Sequence, residues 1–225
     1  MLYYSVIVPI HNEKDSIREL YHSLSCALKS ISASFEIIFV DDGSDDDSEG
    51  ILNNLSFLHK DLIAVTFPRR FGKSHALAAG FTRSKGRTII TLDADLQHDP
   101  DDIPLLLSKK EQGFDVVCGW RHKRCDPQTK IIAARLANLL RRLVFQEKIH
   151  DVGCSLRVYS REAFAAIRLY RERHRFITAI LSRKGFKLGE VKVRHYPRRF
   201  GASKYSAFGR MIKSTPDFIS ILFKG

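Results

Sequence analysis

The sequence predicts an α/β fold: a mixed, mainly parallel sheet flanked by helices, followed by a basic C-terminal helical extension. Three observations predict it. Short apolar runs alternate with amphipathic stretches through the first half in a βαβα order. The runs have strand length and are bounded by turn-forming residues. Four of them end in polar or charged clusters, as strands do at the ligand-binding edge of such a sheet.

The first strand is expected over residues 3–8. A helix follows over 14–30, where Ile17, Leu20, Leu24 and Leu28 recur at helical spacing. Strands over 36–40, 62–66, 87–92 and 115–118 alternate with helices over 48–58 and 73–83. In the second half, 129–144 reads as a helix with Ile132, Leu136, Leu139, Leu140 and Leu143 on one side. A strand over 156–159, helices over 161–169 and 176–183, and a strand over 187–195 come next. Residues 1–204 are expected to form one domain, and 205–225 an amphipathic helix that either lies at a membrane surface or completes the core.

Composition narrows the class. With 225 residues and 44% hydrophobic content, the chain can bury a full core. Cys26, Cys118, Cys125 and Cys154 form no CxxC pair, so free thiols are expected rather than zinc or disulfides. No stretch approaches the ~18 apolar residues of a membrane span, and the N-terminus reads as a strand. The chain is therefore expected on the cytoplasmic side.

The net charge of +12 is uneven. Residues 1–113 carry 12 Lys+Arg against 17 Asp+Glu, and residues 114–225 carry 25 against 8. A basic half of this kind suits a polyanionic partner: nucleic acid, anionic lipid or a phosphorylated substrate. No aromatic RNA-binding sheet motif or recognition-helix motif appears, so nucleic acid is not the expected partner.

The strand ends read PIHNE at 9–13, DDGS at 41–44, PRRFG at 68–72 and DAD at 93–95. Asp93 and Asp95, two residues apart in extended chain, point to one side. Burying unpaired carboxylates is costly, and a hard divalent cation compensates it. Gln97 adds a neutral oxygen at the same spacing. Mg²⁺ or Mn²⁺ held by few protein ligands completes its shell with water and substrate phosphates. His11 and His98 read as polar rim residues. Lys73 in FGKS lacks the upstream glycine of a phosphate-binding loop, so that motif is excluded.

The ordered segments PIHNE (9–13), VDDGS (40–44), RRFGKSHALAAGF (69–81), TLDADLQ (91–97), DVVCGWR (115–121), DVGCSLRVYSR (151–161) and RRFGASKYS (198–206) resemble family 2 glycosyltransferases of the GT-A fold. The polyprenyl-phosphate branch is the nearest in pattern. The resemblance implies a metal-dependent, inverting transfer of sugar from a UDP- or GDP-sugar to a polyprenyl phosphate at an anionic membrane surface. It also implies roles for single residues. Pro9, Asn12 and Glu13 would border the nucleotide pocket, and Asp41 would receive the base with Asp42 close by. Asp93 would lie near the sugar-nucleotide, and Asp95 and Gln97 would bind the metal with its help. Arg121 would meet the acceptor phosphate. Arg198 would reach the donor diphosphate, with Ser203 and Lys204 shaping the same loop. The pattern departs at Gln128-Thr129-Lys130, where Lys130 replaces a usual arginine. A membrane partner protein or a homo-oligomer is compatible with such a site. A glycan hydroxyl acceptor is the alternative within the family. It requires a general base, and no residue stands out as one.

Overall fold

The computed structural model describes residues 3–31, 34–122, 144–145, 148–200, 217 and 220–221. Its strands are β1 (Tyr4–Ile10), β2 (Phe35–Asp41), β3 (Leu62–Thr66), β4 (Thr88–Thr91), β5 (Val116–Arg121), β6 (Arg157–Ser160) and β7 (Leu188–Val193). Its helices are α1 (Ile17–Ser30), α2 (Ser48–Leu58), α3 (Lys73–Arg83), α4 (Ile103–Glu111), α5 (Arg161–Ala165) and α6 (Ile177–Arg183). Short 3-10 turns at Pro100–Asp102 and Arg173–Phe176 precede α4 and α6. All seven expected strands are present, and α4 is an addition to the sequence expectation.

The strands form one sheet in the order β3-β2-β1-β4-β6-β5-β7. β3, β2, β1 and β4 pair in parallel, as do β5 and β7; β6 runs antiparallel between β4 and β5. The β1–β4 pairing ends at Ile7 and Thr91, before Pro9, which has no N–H to extend a ladder.

Alternation along the central strands divides the core in two. Val6, Val8 and Ile10 of β1 face α1, α2 and α4, meeting Leu20, Leu24, Leu52 and Leu106. Ile7, Ile38 and Ile89 face the other side, toward Leu77, Phe164 and Leu181. On that side α3 lies unusually close. A Cβ on Gly80 would come within 2.4 Å of Ile7 Cγ2 and 3.2 Å of Val40 Cγ2. Gly80→Ala is therefore expected to destabilise the fold by about 1–3 kcal/mol through overpacking, although alanine favours helix. Urea unfolding measures this directly.

A third, smaller cluster joins Phe145, Phe176, Ala179, Ile180 and Ile221. Near it, the Glu172 N–H donates to Asp217 Oδ2 at 3.0 Å, and Asp217 and Ile221 are buried. Those C-terminal residues thus belong to the packed body. The rest of the expected 205–225 helix, most of the 129–144 helix, Lys130, Ser203 and Lys204 lie outside the described residues.

Candidate active site

The loops after β1, β2, β3 and β4 meet at the carboxyl edge of the sheet, and their side chains knit them together. Asn12, at φ 55°, lies between the first two. Its N–H donates to Ser44 Oγ at 2.9 Å, its Oδ1 accepts from the Asp45 N–H at 3.0 Å, and its Nδ2 donates to Asp45. The Glu13 N–H donates to Ser48 Oγ at 3.2 Å.

Asp41 and Asp42 divide the work at the end of β2. Asp41 Oδ1 accepts from the Ser44 N–H at 3.1 Å. Its Oδ2 is buried without a hydrogen-bond partner among the described residues. Asp42 instead grips the next loop: Oδ1 accepts from the N–H of Phe71 at 2.7 Å, and Oδ2 accepts from that of Gly72 at 2.8 Å. Asp42 thus supports the loop, whereas Asp41 keeps one oxygen unengaged among the described residues. Gly43, at φ +64°, is required here, because a Cβ would meet the Arg69 backbone carbon at 2.3 Å.

Lys73 opens α3, directly after the clamped Gly72. A lysine at a helix N-terminus faces the positive end of the helix dipole. Its compensation is Asp93, with which its ammonium forms an ion pair. Burial works to raise the Asp93 carboxyl, but Lys73 outweighs it and holds the group down to about 2. Asp95 has the opposite fate. Burial first and Asp93 second push it up to about 6, with Arg198 pulling the other way. Between Asp95 and Gln97, Leu96 is held at φ 57°, a conformation uncommon for a leucine.

Arg198 reaches this pair from the far end of the chain. Its guanidinium pairs with Glu13 and stands 4.0 Å from Asp95 Oδ2. Its Nε donates to the Phe200 carbonyl at 2.8 Å. The segment after β7 is fixed against residues 97–102. The Tyr196 N–H donates to the Gln97 carbonyl at 2.9 Å, and Gln97 Nε2 returns a bond to the Tyr196 carbonyl at 3.2 Å. Tyr196 Oη donates to Asp99 at 3.0 Å, and Arg194 bridges Asp99 and Asp102 at 2.9 Å each. Arg199, by contrast, pairs with Glu19 on the outer face of α1.

Arg121 ends β5 and is locked to Asp151. Nε and Nη2 donate to the two carboxylate oxygens at 2.7 and 2.9 Å, and the Arg121 N–H adds a third bond at 3.2 Å. Glu190 supports the pair by accepting from the Asp151 N–H at 2.8 Å.

The structure corrects one expectation outright. His98 is buried rather than on the rim. Its ring lies 5.9 Å from that of His195, and Nδ1 is 4.0 Å from Cys154 Sγ. Burial and then Arg121 push its imidazolium down to about 3, so the ring is neutral. A second histidine, His174, joins the site's surroundings without any sequence signal. Its Nδ1 lies 3.0 Å from Ser74 Oγ in α3. Nothing periodic marks it; its place follows from the turn at Arg173–Phe176 packing on α3. Lys73 was readable as a cation at the wrong end of a helix.

The rim thus gathers Asp93, Asp95 and Glu13 with Lys73 and Arg198. The donor set suits Mg²⁺ or Mn²⁺. It offers two carboxylates two residues apart, one of them pushed up by burial and by its neighbour, and such an ion completes its shell with water and phosphate oxygens. Among the described residues no group of three or more His, Cys, Asp or Glu converges on one point.

Residues 5–168 match the sequence pattern of Glycosyl transferase family 2. The chain is 37% identical over 219 residues to an undecaprenyl-phosphate 4-deoxy-4-formamido-L-arabinose transferase of Enterobacter sp. (strain 638), covering 97% of this chain and 67% of that protein. The Klebsiella pneumoniae subsp. pneumoniae protein of the same name is 36% identical with the same coverage. The fold resembles glucosyl-3-phosphoglycerate synthase from Mycobacterium tuberculosis, solved with Mn²⁺, UDP and glucosyl-3-phosphoglycerate, at a TM-score of 0.72 and 18% identity over 99% of this chain and 79% of that one. That enzyme's complex with Mg²⁺ and UDP gives a TM-score of 0.73 at 18% identity, with the same coverage. This chain belongs to glycosyltransferase family 2 and is a glycosyltransferase with the GT-A fold.

Proposed function

We propose that this enzyme moves a sugar from a UDP- or GDP-sugar to a polyprenyl phosphate, with inversion at the anomeric carbon, at an anionic membrane surface. The observation that carries the donor side is the ring of Asp93, Asp95, Lys73 and Arg198 at one strand edge. Nearby in the fold, Asp41 Oδ2 is buried with no partner among the described residues. The acceptor side rests on the relatives, whose names specify undecaprenyl phosphate.

Asp41 Oδ2 is a fixed acceptor for the N–H of a nucleobase. Asp93 and Asp95, joined by Gln97, would hold the divalent ion, which when bound neutralises charge on the departing diphosphate. Arg198, positioned by the Gln97–Tyr196 bonds, faces the same diphosphate. Arg121 is assigned to the acceptor phosphate, and Asp151 keeps its guanidinium in one orientation. A phosphate monoester is already largely anionic at neutral pH, so it needs positioning more than deprotonation. This accounts for a site rich in arginine and lysine, in which the buried His98 is neutral and engaged with the core. No helix among the described residues is long and apolar enough to cross a membrane. Attraction of the basic second half to anionic lipid would bring the enzyme to its acceptor, at about 1 kcal/mol per basic residue near the surface.

The test incubates the protein with labelled UDP- and GDP-sugars and undecaprenyl phosphate in detergent, with Mg²⁺, Mn²⁺ or EDTA. Metal-dependent label in the organic phase is the expected result. Label that stays water-soluble while the sugar-nucleotide is consumed would sink the lipid acceptor.

A further inference from the structure

The Lys73–Asp93 ion pair occupies a position that the proposed function needs for something else. Asp93 is one of two carboxylates available to a divalent ion, yet here it is paired with an ammonium from its own chain. We propose that Lys73 is a resident cation for the donor-free enzyme: it neutralises Asp93 until the metal and nucleoside diphosphate arrive, then passes to the diphosphate oxygens. This inference rests on the donor site assigned above.

The mechanics support such a move. The residues on both sides of Lys73 are held in place. Asp42 holds the N–H groups of Phe71 and Gly72, and Ser74 Oγ accepts from the His174 N–H at 3.0 Å. Only the flexible side chain is left to swing, and it is partly exposed, at 31% of its surface. Its position at the start of α3 places the ammonium where backbone N–H groups also point, a setting that favours anionic oxygens. Lysine is well matched to this exchange. It is a compact point charge on a long stem, able to trade a carboxylate for a phosphate. Among the described residues Asp95 has no equivalent close cation, since Arg198 stands 4.0 Å away and pairs with Glu13. The metal's arrival at Asp95 would therefore be opposed chiefly by Lys73 at Asp93.

Two opposed effects follow, and a merely structural lysine would produce neither. Mn²⁺ binding is followed by electron paramagnetic resonance on the full chain, without nucleotide and with UDP or GDP. Lys73→Met is expected to bind Mn²⁺ about fivefold more tightly than wild type without nucleotide, the scale of one partly exposed ion pair. The same variant should bind the nucleotide in the presence of Mn²⁺ at least about tenfold more weakly, having lost a charged hydrogen bond. Lys73→Arg, which keeps the charge, should match wild type in the nucleotide-free metal titration. Equal nucleotide-free Mn²⁺ affinities for wild type and Lys73→Met would overturn the proposal, while persistent Mn²⁺–nucleotide binding would leave the donor site standing. A tighter metal with unchanged nucleotide affinity would overturn the transfer to the diphosphate. Absence of Mn²⁺ binding to wild type even with nucleotide would remove both this inference and the donor site beneath it.

Discussion

Asp95→Asn is expected to lower sugar transfer about a thousandfold, comparable to removing one preorganised electrostatic contact from a dry site. The amide keeps the shape but cannot neutralise a divalent ion. The same substitution should leave the fold at least as stable as wild type. Burial first and the Asp93 charge second push the Asp95 carboxyl up to about 6, above its ordinary value of about 3.9. A group raised in the folded state stabilises it fully below the ordinary carboxylate range and loses that contribution as pH climbs toward about 6. Asp95→Asn should therefore exceed wild type by on the order of 2 kcal/mol at neutral pH, with the gap closing in acid. The ion requires the ionised carboxylate, so metal affinity follows the opposite course. In wild type it should be about tenfold weaker at pH 5 than at pH 7, as read by calorimetry. An inactive variant with lowered stability at neutral pH would mean that Asp95 supports the fold rather than the cation.

The crowding of charge at this site explains which parts of it are legible in sequence. Strands and their terminal clusters are local features: Ile89 and Ile90 must be buried, and the chain can place Asp93 only where burial stops. Asp41 follows from the same logic. What a single sequence does not encode locally is pairing across distance. Arg121 and Asp151 are thirty residues apart and meet because β6 is inserted antiparallel between β4 and β5, an order no periodicity reveals. Lys73 and Asp93 meet because α3 packs across β1, which Gly80 permits by having no side chain. Helix α4 is hidden for another reason. Its Leu105-Leu106-Leu107 run breaks amphipathic spacing, and Leu105 is exposed while its neighbours are buried. The buried His98 shows the limit of a residue-type argument. A histidine after two aspartates looks like a rim group until the fold turns it inward against His195.

These long-range pairs share a physical function. The transfer proposed above needs cations aimed at phosphate, and a cation in a fold is held in place by a carboxylate. Lys73 leans on Asp93, Arg198 on Glu13 and Arg121 on Asp151. Each pair fixes direction but neutralises part of the charge. The pairs differ in depth: Lys73 is open enough to exchange partners, whereas Arg121 and Asp151 are 12% and 6% exposed at their side chains.

That depth makes Asp151→Ala strongly destabilising. It removes the two side-chain hydrogen bonds that Asp151 gives the buried Arg121 guanidinium, and breaking a buried pair from one side costs about 3 kcal/mol or more. For a chain of this size the melting temperature should fall by about 6–12 °C. Replacing both members, as in Arg121→Met with Asp151→Leu, removes the half-broken ion pair and should recover much of the loss. The double variant separates the two jobs of the pair. A folded protein that still binds nucleotide but has a greatly raised KM for the lipid phosphate would assign Arg121 to the acceptor, with Asp151 as the residue that aims it. Wild-type acceptor KM in the double variant would reduce the pair to a structural bond between β5 and the loop before β6. The acceptor phosphate would then have to be met elsewhere in the basic second half.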